Sequence, residues 1–434
     1  MGKAKEYPLL VFADRSGRIM EHPFLGMAGS EAGMWKNISV DDLIPLPEGS
    51  ELFLLPGRLP VGFDHSKKKF VVVSQDPYGG NGNIQAVAAS VAPAYTAILS
   101  AAYKTLPDAP VLPLFSYAAV GWFKGRFVVT AIRVDPDERQ DVKHLSIEKV
   151  NEQARLWMKQ YRHNRLIYHL GRCALTYACP AARNFFLRRW EAPLPTSPRC
   201  NARCLGCISL QTNSPVPSTQ QRIKFVPTPE EIAEVAVMHL NKAPRAVVSF
   251  GQGCEGEPLL VADTIETAIR LMRTESSLGT INMNTNGSIP DVLERLAKAG
   301  LQSVRVSLNS VQPQYYHAYY RPKGYRFEDV KEFILRAKAL GLFVSLNYFM
   351  LPGVTDDPSE VQSLEEFLRD TPVDLIQMRN FNIDPEWYIR SVGFKPTGSP
   401  IGIKNWMDRL RQKKPDIRFG YFNPFLGEER AFET

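Results

Sequence analysis

Cys200-Asn201-Ala202-Arg203-Cys204-Leu205-Gly206-Cys207 gathers three of the six cysteines of this 434-residue chain into eight residues, spaced Cys-x3-Cys-x2-Cys. Thiolates are soft ligands that favour zinc, copper and iron–sulfur centres, and such centres usually take four protein ligands. A compact loop here offers three. Either a fourth ligand comes from elsewhere in the chain, as in a zinc knuckle, or one metal corner is left for a ligand that is not protein.

Downstream of the loop, strand and helix patterns alternate as in parallel βα units. Short apolar runs at 246–250, 280–283, 303–308, 343–348 and 373–378 predict strands. Helices are predicted at 228–240, opened by the capping box Thr228-Pro229-Glu230-Glu231, at 263–273 capped by Asp263, and at 291–299, 327–340 and 359–368. A further strand at 191–198 carries three prolines, which suit a short, irregular or edge strand. Parallel βα folds put their chemistry at the C-terminal ends of strands. The polar, glycine-containing stretches fall there: Gly253-Cys254-Glu255-Gly256-Glu257-Pro258, Asn284-Thr285-Asn286-Gly287, Ser307-Leu308-Asn309-Ser310, and Asn347 leading to Leu351-Pro352-Gly353. Singly each reads equally well as loop chemistry; Gly256 alone suits a turn before a helix.

Taken together, the cysteine spacing and these strand-end motifs resemble the radical S-adenosylmethionine enzymes over residues 195–380. The resemblance implies an α/β fold, a partial (βα)6 TIM-like barrel. It implies a [4Fe-4S] cluster on Cys200, Cys204 and Cys207, with S-adenosylmethionine on the open iron. Reductive cleavage then gives a 5′-deoxyadenosyl radical that abstracts hydrogen from a substrate. Such an enzyme is oxygen-sensitive and needs a reducing donor of flavodoxin or ferredoxin type. By resemblance, Gly256, Glu257 and Pro258 grip the cosubstrate's amino group. Thr285, Asn286, Ser307 and Asn309 approach its ribose and carboxylate, and Asn347 and Leu351 its adenine side. The family motif has glycine where Glu255 stands. Arg379 and Asn382, after the last strand, are candidates for contacting a small-molecule or peptide substrate.

The rest of the chain divides into a β-rich α+β N-terminal domain (1–138), a basic helical connector (139–190), the barrel (191–384) and a C-terminal extension (385–434) without cysteine. In the first, strands are expected at 7–13, 51–55, 70–74 and 126–134. The glycine-rich 76–83 reads as a turn or lid, and the alanine-rich 84–103 as one or two helices kinked at Pro93. One helix is expected over 147–168, stopped at Gly171. Residues 315–322 suit either a substrate mouth or packing before a helix. In the extension, a helix over 403–412 and a strand over 417–422 are expected. Cys173, Cys179 and Cys254 read as buried thiols or as ligands of a second metal, with Cys254 the candidate catalytic thiol of an RNA-modifying, methyltransferase-like relative. The net charge of +7 motivates that reading, because residues 139–203 hold 13 Lys/Arg against 4 Asp/Glu. A basic stretch also serves as the solvated side of helices. A zinc or nucleic-acid-binding module without enzymatic activity is the remaining alternative. A short apolar N-terminal run and a broken uncharged stretch at 77–103 argue against a signal peptide or membrane span, so a cytoplasmic protein is expected.

Overall fold

The computed structural model describes residues 6–80, 83–138 and 141–427. The first five residues, Asn81 and Gly82 of the glycine-rich loop, Arg139 and Gln140 at the head of the basic segment, and the last seven residues of the extension lie outside that description.

Parallel strands in chain order form the second sheet: Glu191–Pro193, Val247–Phe250, Thr280–Thr285, Ser303–Leu308, Phe343–Met350, Leu375–Asn380 and Arg418–Gly420. The last comes from the extension and adds a seventh strand to the six expected. The proline-bearing Glu191–Pro193 strand is short and lies at the sheet edge, where a missing N–H costs least. Helices return the chain between strands, including Pro229–Leu240 with its capping box made on both sides. The 262–275 helix differs from expectation. Its lead-in is a 3-10 turn, Pro258–Val261, and Asp263 makes no cap but pairs with Arg295.

Strand side chains alternate between the two faces. Val248, Phe250, Ile281, Met283, Val304, Val306, Val344, Leu346, Ile376 and Met378 join the helices in one core. The other face is polar: Ser249, Asn282, Asn284, Ser303, Arg305, Ser307, Asn347, Gln377 and Arg379. Asn282 donates to Ser249 and accepts from Ser303, while Arg305 donates to Gln377. Asn423, from the extension, ties this face together by donating to Ser249, Asn284 and Glu191 and accepting from Gln377. The barrel therefore has a hydrogen-bonded interior rather than an oily one.

Residues 9–133 build a separate, antiparallel 13-stranded sheet. Leu9–Ala13, Glu51–Leu55, Lys69–Val72 and Arg126–Arg133 lie near expectation. The helices expected at 84–103 are instead strands, Gln85–Ser90, Tyr95–Ala97, Ser100–Ala101 and Tyr103–Thr105. Ala86, Val87, Ala88 and Ala89 are buried on both faces, and the strand pairs with Glu51–Leu55. Small side chains let packed layers approach closely here, and sheet pairing overrides alanine's preference for helix.

The expected helix over 147–168 is two, Ile147–Gln160 and Arg165–Thr176. Asn164 breaks it: its side chain caps Ile167 and donates to the Glu231 carbonyl and Glu234. Ile147 and Tyr168, although they share helical spacing with the buried Val150, Ala154 and Trp157, are 52% and 56% exposed. Gly171 is no stop. It lies inside the second helix, where a Cβ would strike Met158, so its lack of one lets the helices pack closely. No helix among the described residues is long and apolar enough to cross a membrane.

The N-terminal sheet docks on the C-terminal ends of two barrel strands. Thr96 donates to the Met378 carbonyl, and Asn380 exchanges hydrogen bonds with Ala97 and Tyr95. Ala32 donates to the Pro352 carbonyl. Arg58 and Asp384 form an ion pair of 2.8 Å across the contact, with side chains only 3% and 2% exposed.

Candidate active site

The cysteine loop lies on the rim of the barrel and is fastened from several sides. Arg203 and Leu205 donate backbone bonds to the Tyr320 and Tyr319 carbonyls at the end of the Pro313–Tyr320 helix. Gln211 donates to the carbonyls of Leu205 and Cys207, both at 2.8 Å. Tyr316, Tyr319 and Tyr320 are buried, so this aromatic stretch is packing that supports the loop rather than an open mouth. Asn201, within the loop, donates to Ser288 and accepts from Asn286.

Gly256 and Glu257 lie directly against the start of the same loop. Gly256 donates to the Ser197 carbonyl at 2.6 Å and Glu257 to the Arg199 carbonyl at 2.8 Å. A Cβ on Gly256 would strike Arg199, so this approach needs glycine. Glu255, where the family motif has glycine, has its own task. Its buried carboxylate accepts from the backbone of Thr196, Ser197 and Gln252, which stitches the two strand ends together. Glu257 is 3% exposed and accepts from Thr285 at 2.5 Å, from the Asn286 backbone at 2.9 Å and from Leu259 at 3.2 Å. Burial outweighs these bonds and pushes its carboxyl up to about 7.

Burial, and then the nearby Glu257, push the Cys200 thiol up to about 11. Cys204 is raised by burial and by Cys207 and Cys200, which places the three sulfurs in one electrostatic neighbourhood. Thiols held this way stay protonated until a metal takes them. Arg222 donates to the Cys207 sulfur at 3.4 Å and to Ser209 at 3.2 Å. Three thiols from one loop leave a four-iron cluster one iron without a protein ligand, and a buried carboxylate near Cys200 suits an ammonium-bearing cosubstrate. The residues present thus fit a [4Fe-4S] cluster with S-adenosylmethionine.

Of the other predicted residues, Ser307 and Asn347 meet across neighbouring strands, with Asn347 donating at 3.4 Å. Asn309 donates to Tyr388 and to the Tyr315 carbonyl. Leu351 is buried in the turn that the N-terminal sheet covers. Pro258 opens the 3-10 turn after Glu257. Asn382 lies beside Gly206 of the cysteine loop, whereas Arg379 stacks on Tyr421 and donates to its carbonyl. Asn284 Nδ2, Asn309 Oδ1, Asn347 Oδ1 and Arg305 Nε are buried with no hydrogen-bond partner among the described residues. Burial, then Arg379, lowers Arg305 to about 9.

Cys254 keeps different company. Its sulfur lies within 4.8 Å of the Cys173 sulfur and a His169 ring nitrogen. A hydrogen bond from Cys254 holds Cys173 down to about 5 and leaves Cys254 raised. Sequence reading missed Asn201, Gln211, Arg222, Arg305 and Asn423. For Arg305 the signal was present, in the period-two alternation Ser303-Val304-Arg305-Val306-Ser307. For the others, nothing local marks them.

The radical SAM superfamily matches this chain at residues 194–364. The GTP 3',8-cyclase of Aquifex aeolicus is 31% identical over 183 residues, covering 41% of this chain and 52% of the relative. Molybdenum cofactor biosynthesis protein 1 of Bos taurus is 28% identical over 222 residues, covering 50% of this chain and 32% of the relative. The chain therefore spans about half or less of the length of these curated relatives. The solved structure of native anSMEcpe with bound AdoMet aligns over 44% of this chain and 51% of that one, at 17% identity and a TM-score of 0.35.

Proposed function

Residues 194–364 are a radical SAM domain, and from that premise we propose that this enzyme holds its cluster on Cys200, Cys204 and Cys207 and acts on an anionic substrate inside the barrel. The superfamily uses a [4Fe-4S] cluster and S-adenosylmethionine. When bound, they supply an electron and a 5′-deoxyadenosyl radical that takes hydrogen from the substrate.

The observation that carries this reading is the laying of Gly256-Glu257 against Arg199-Cys200, which sets a buried carboxylate near the Cys200 thiol of the cysteine loop. Glu257 receives the cosubstrate ammonium, and Thr285 and Asn286 hold its carboxylate in place for that bond. Ser307, Asn309 and Asn347 offer hydroxyl and amide groups to the cosubstrate's own hydroxyls. Leu351, under the N-terminal sheet, gives an apolar wall for a purine ring. The N-terminal sheet keeps water from this side.

An anionic substrate is favoured by the interior charge. Arg305 carries an unpartnered Nε, and Arg379 lies close enough to depress it. Asn382, beside Gly206 of the cysteine loop, is a further polar group for substrate contact. Relatives named GTP 3',8-cyclase make a nucleoside triphosphate the first compound to try. A donor of flavodoxin or ferredoxin type serves as reductant. The test is anaerobic incubation of reduced, cluster-loaded protein with S-adenosylmethionine, scoring 5′-deoxyadenosine with and without GTP and other anionic metabolites. Production that rises with one such compound supports the reading; no 5′-deoxyadenosine under any condition removes it.

A further inference from the structure

A second group of soft ligands lies outside the cysteine loop. His169 and Cys173 are four apart on the Arg165–Thr176 helix and so share one side of it. Cys254 reaches them from the loop after the Val247–Phe250 strand, and that loop is held by Ile223 donating to the Cys254 carbonyl at 2.8 Å. The two sulfurs and one ring nitrogen all lie within 4.8 Å of one another. Cys173 and Cys254 are 1% and 4% exposed, and His169 is half-buried.

Thiols that merely fill space need no imidazole nitrogen pointed at them. The distance is also informative: Cys173 Sγ lies 3.5 Å from His169 Nε2. A tetrahedral zinc with Zn–S of about 2.3 Å and Zn–N of about 2.0 Å sets its sulfur and nitrogen ligands about 3.5 Å apart. Two thiolates and an imidazole suit zinc, which has no redox chemistry of its own and accepts a mixed sulfur–nitrogen shell. His169 and Cys173 line a cleft of about 230 Å³ with Arg172, Tyr177, Gln221 and Arg222, so a fourth position opens to solvent there.

We propose that His169, Cys173 and Cys254 bind one zinc ion, separate from the cysteine-loop cluster, with its fourth position toward that cleft. The ion fastens the loop that carries Glu257 to the connector helix. It does no electron transfer, and the proposal stands or falls independently of the cluster.

The test uses the full-length, anaerobically purified protein, supplied with zinc and dialysed against a mild chelator. About one zinc per chain is expected beside the cluster iron, with an X-ray absorption shell at the zinc edge of two sulfurs at about 2.3 Å and nitrogen at about 2.0–2.1 Å. Zinc below a tenth of an equivalent, or a shell of oxygen and nitrogen alone, overturns the proposal. In variants, His169→Ala with Cys173→Ser should lose at least tenfold of the zinc with iron unchanged. Zinc that survives those substitutions but disappears in Cys204→Ala would place the ion on the cysteine loop instead, and so also overturns it. The absorption shell of the wild-type protein decides the matter even if the double variant fails to fold.

Discussion

The chain carries two groups of thiols, built in opposite ways. Cys200, Cys204 and Cys207 come from one loop, and the fold's work is to hold that loop through Gln211, Tyr319 and Tyr320. His169, Cys173 and Cys254 come from a helix and a distant strand-end loop, and only packing unites them. The first group is contiguous in sequence; the second is assembled by the fold, with its ligand atoms all within 4.8 Å of one another. The origin of the ligands, one loop against two distant elements, separates the two sites.

The sharpest way to break this contrast is Cys204→Ala. Cluster iron and S-adenosylmethionine cleavage should fall to background, while far-ultraviolet circular dichroism stays near wild type; full cleavage activity in the variant would refute the ligand assignment. Next in size is Glu257→Gln, expected to weaken cosubstrate binding about 10- to 100-fold by removing a charge-assisted bond, as read by titration calorimetry on cluster-loaded protein. Its pH behaviour sharpens the point. With the carboxyl pushed up to about 7, wild-type affinity should fall as pH drops below 7, by up to about tenfold per unit, and Glu257→Gln should lose that slope. The sign reverses for stability. The folded state of the ligand-free protein favours the protonated form, so this group's contribution is full below about pH 4.5 and is lost as pH rises through 7. Thermal midpoints between pH 4 and 8 would reveal the slope and its absence in the glutamine variant.

A smaller effect is expected for Cys254→Ser, which should lower bound zinc and leave cluster iron unchanged, and should lower the stability of the zinc-free protein by about 1–3 kcal/mol, the cost of burying a hydroxyl without a good partner. Denaturant titration together with zinc and iron analysis checks each part, and iron loss would merge the two groups into one. The smallest concerns Arg222, which touches the Cys207 sulfur and lines the cleft beside His169 and Cys173. Arg222→Ala should shift the cluster's midpoint potential downward by on the order of tens of millivolts, since a cation and a hydrogen bond to sulfur both favour the reduced state. Spectroscopic redox titration measures it.

The same contrast explains what could be read from the chain. The cysteine loop is local, so its spacing declares it. The Gly256-Glu257 segment was legible despite Glu255, because the glycine that permits close approach and the carboxylate that results are adjacent. The βα alternation was plain, and its strand and helix positions needed only small shifts. By contrast, the 84–103 stretch misled because alanine's helical preference is local while its burial between sheet layers is not. The helix break at Asn164 depends on Glu231 and Glu234, far along the chain. The seventh strand was visible as a strand, but its place beside Leu375–Asn380 depends on the whole sheet closing. His169 and Cys173 were four apart in plain view, yet nothing in sequence ties them to Cys254.

The Arg58–Asp384 pair has a bearing on how this protein can be handled in the laboratory. Asp384 is sealed beneath the N-terminal sheet, where it also accepts from the Leu112 backbone. A fragment that lacks the N-terminal sheet would forfeit the guanidinium counterpart of Asp384 and leave that buried carboxylate, and the Met378 and Asn380 strand end, without their partners. Such a truncation would sacrifice solubility before any chemistry could be assayed. The first hundred-odd residues are therefore better handled as part of the folded unit than as a detachable accessory.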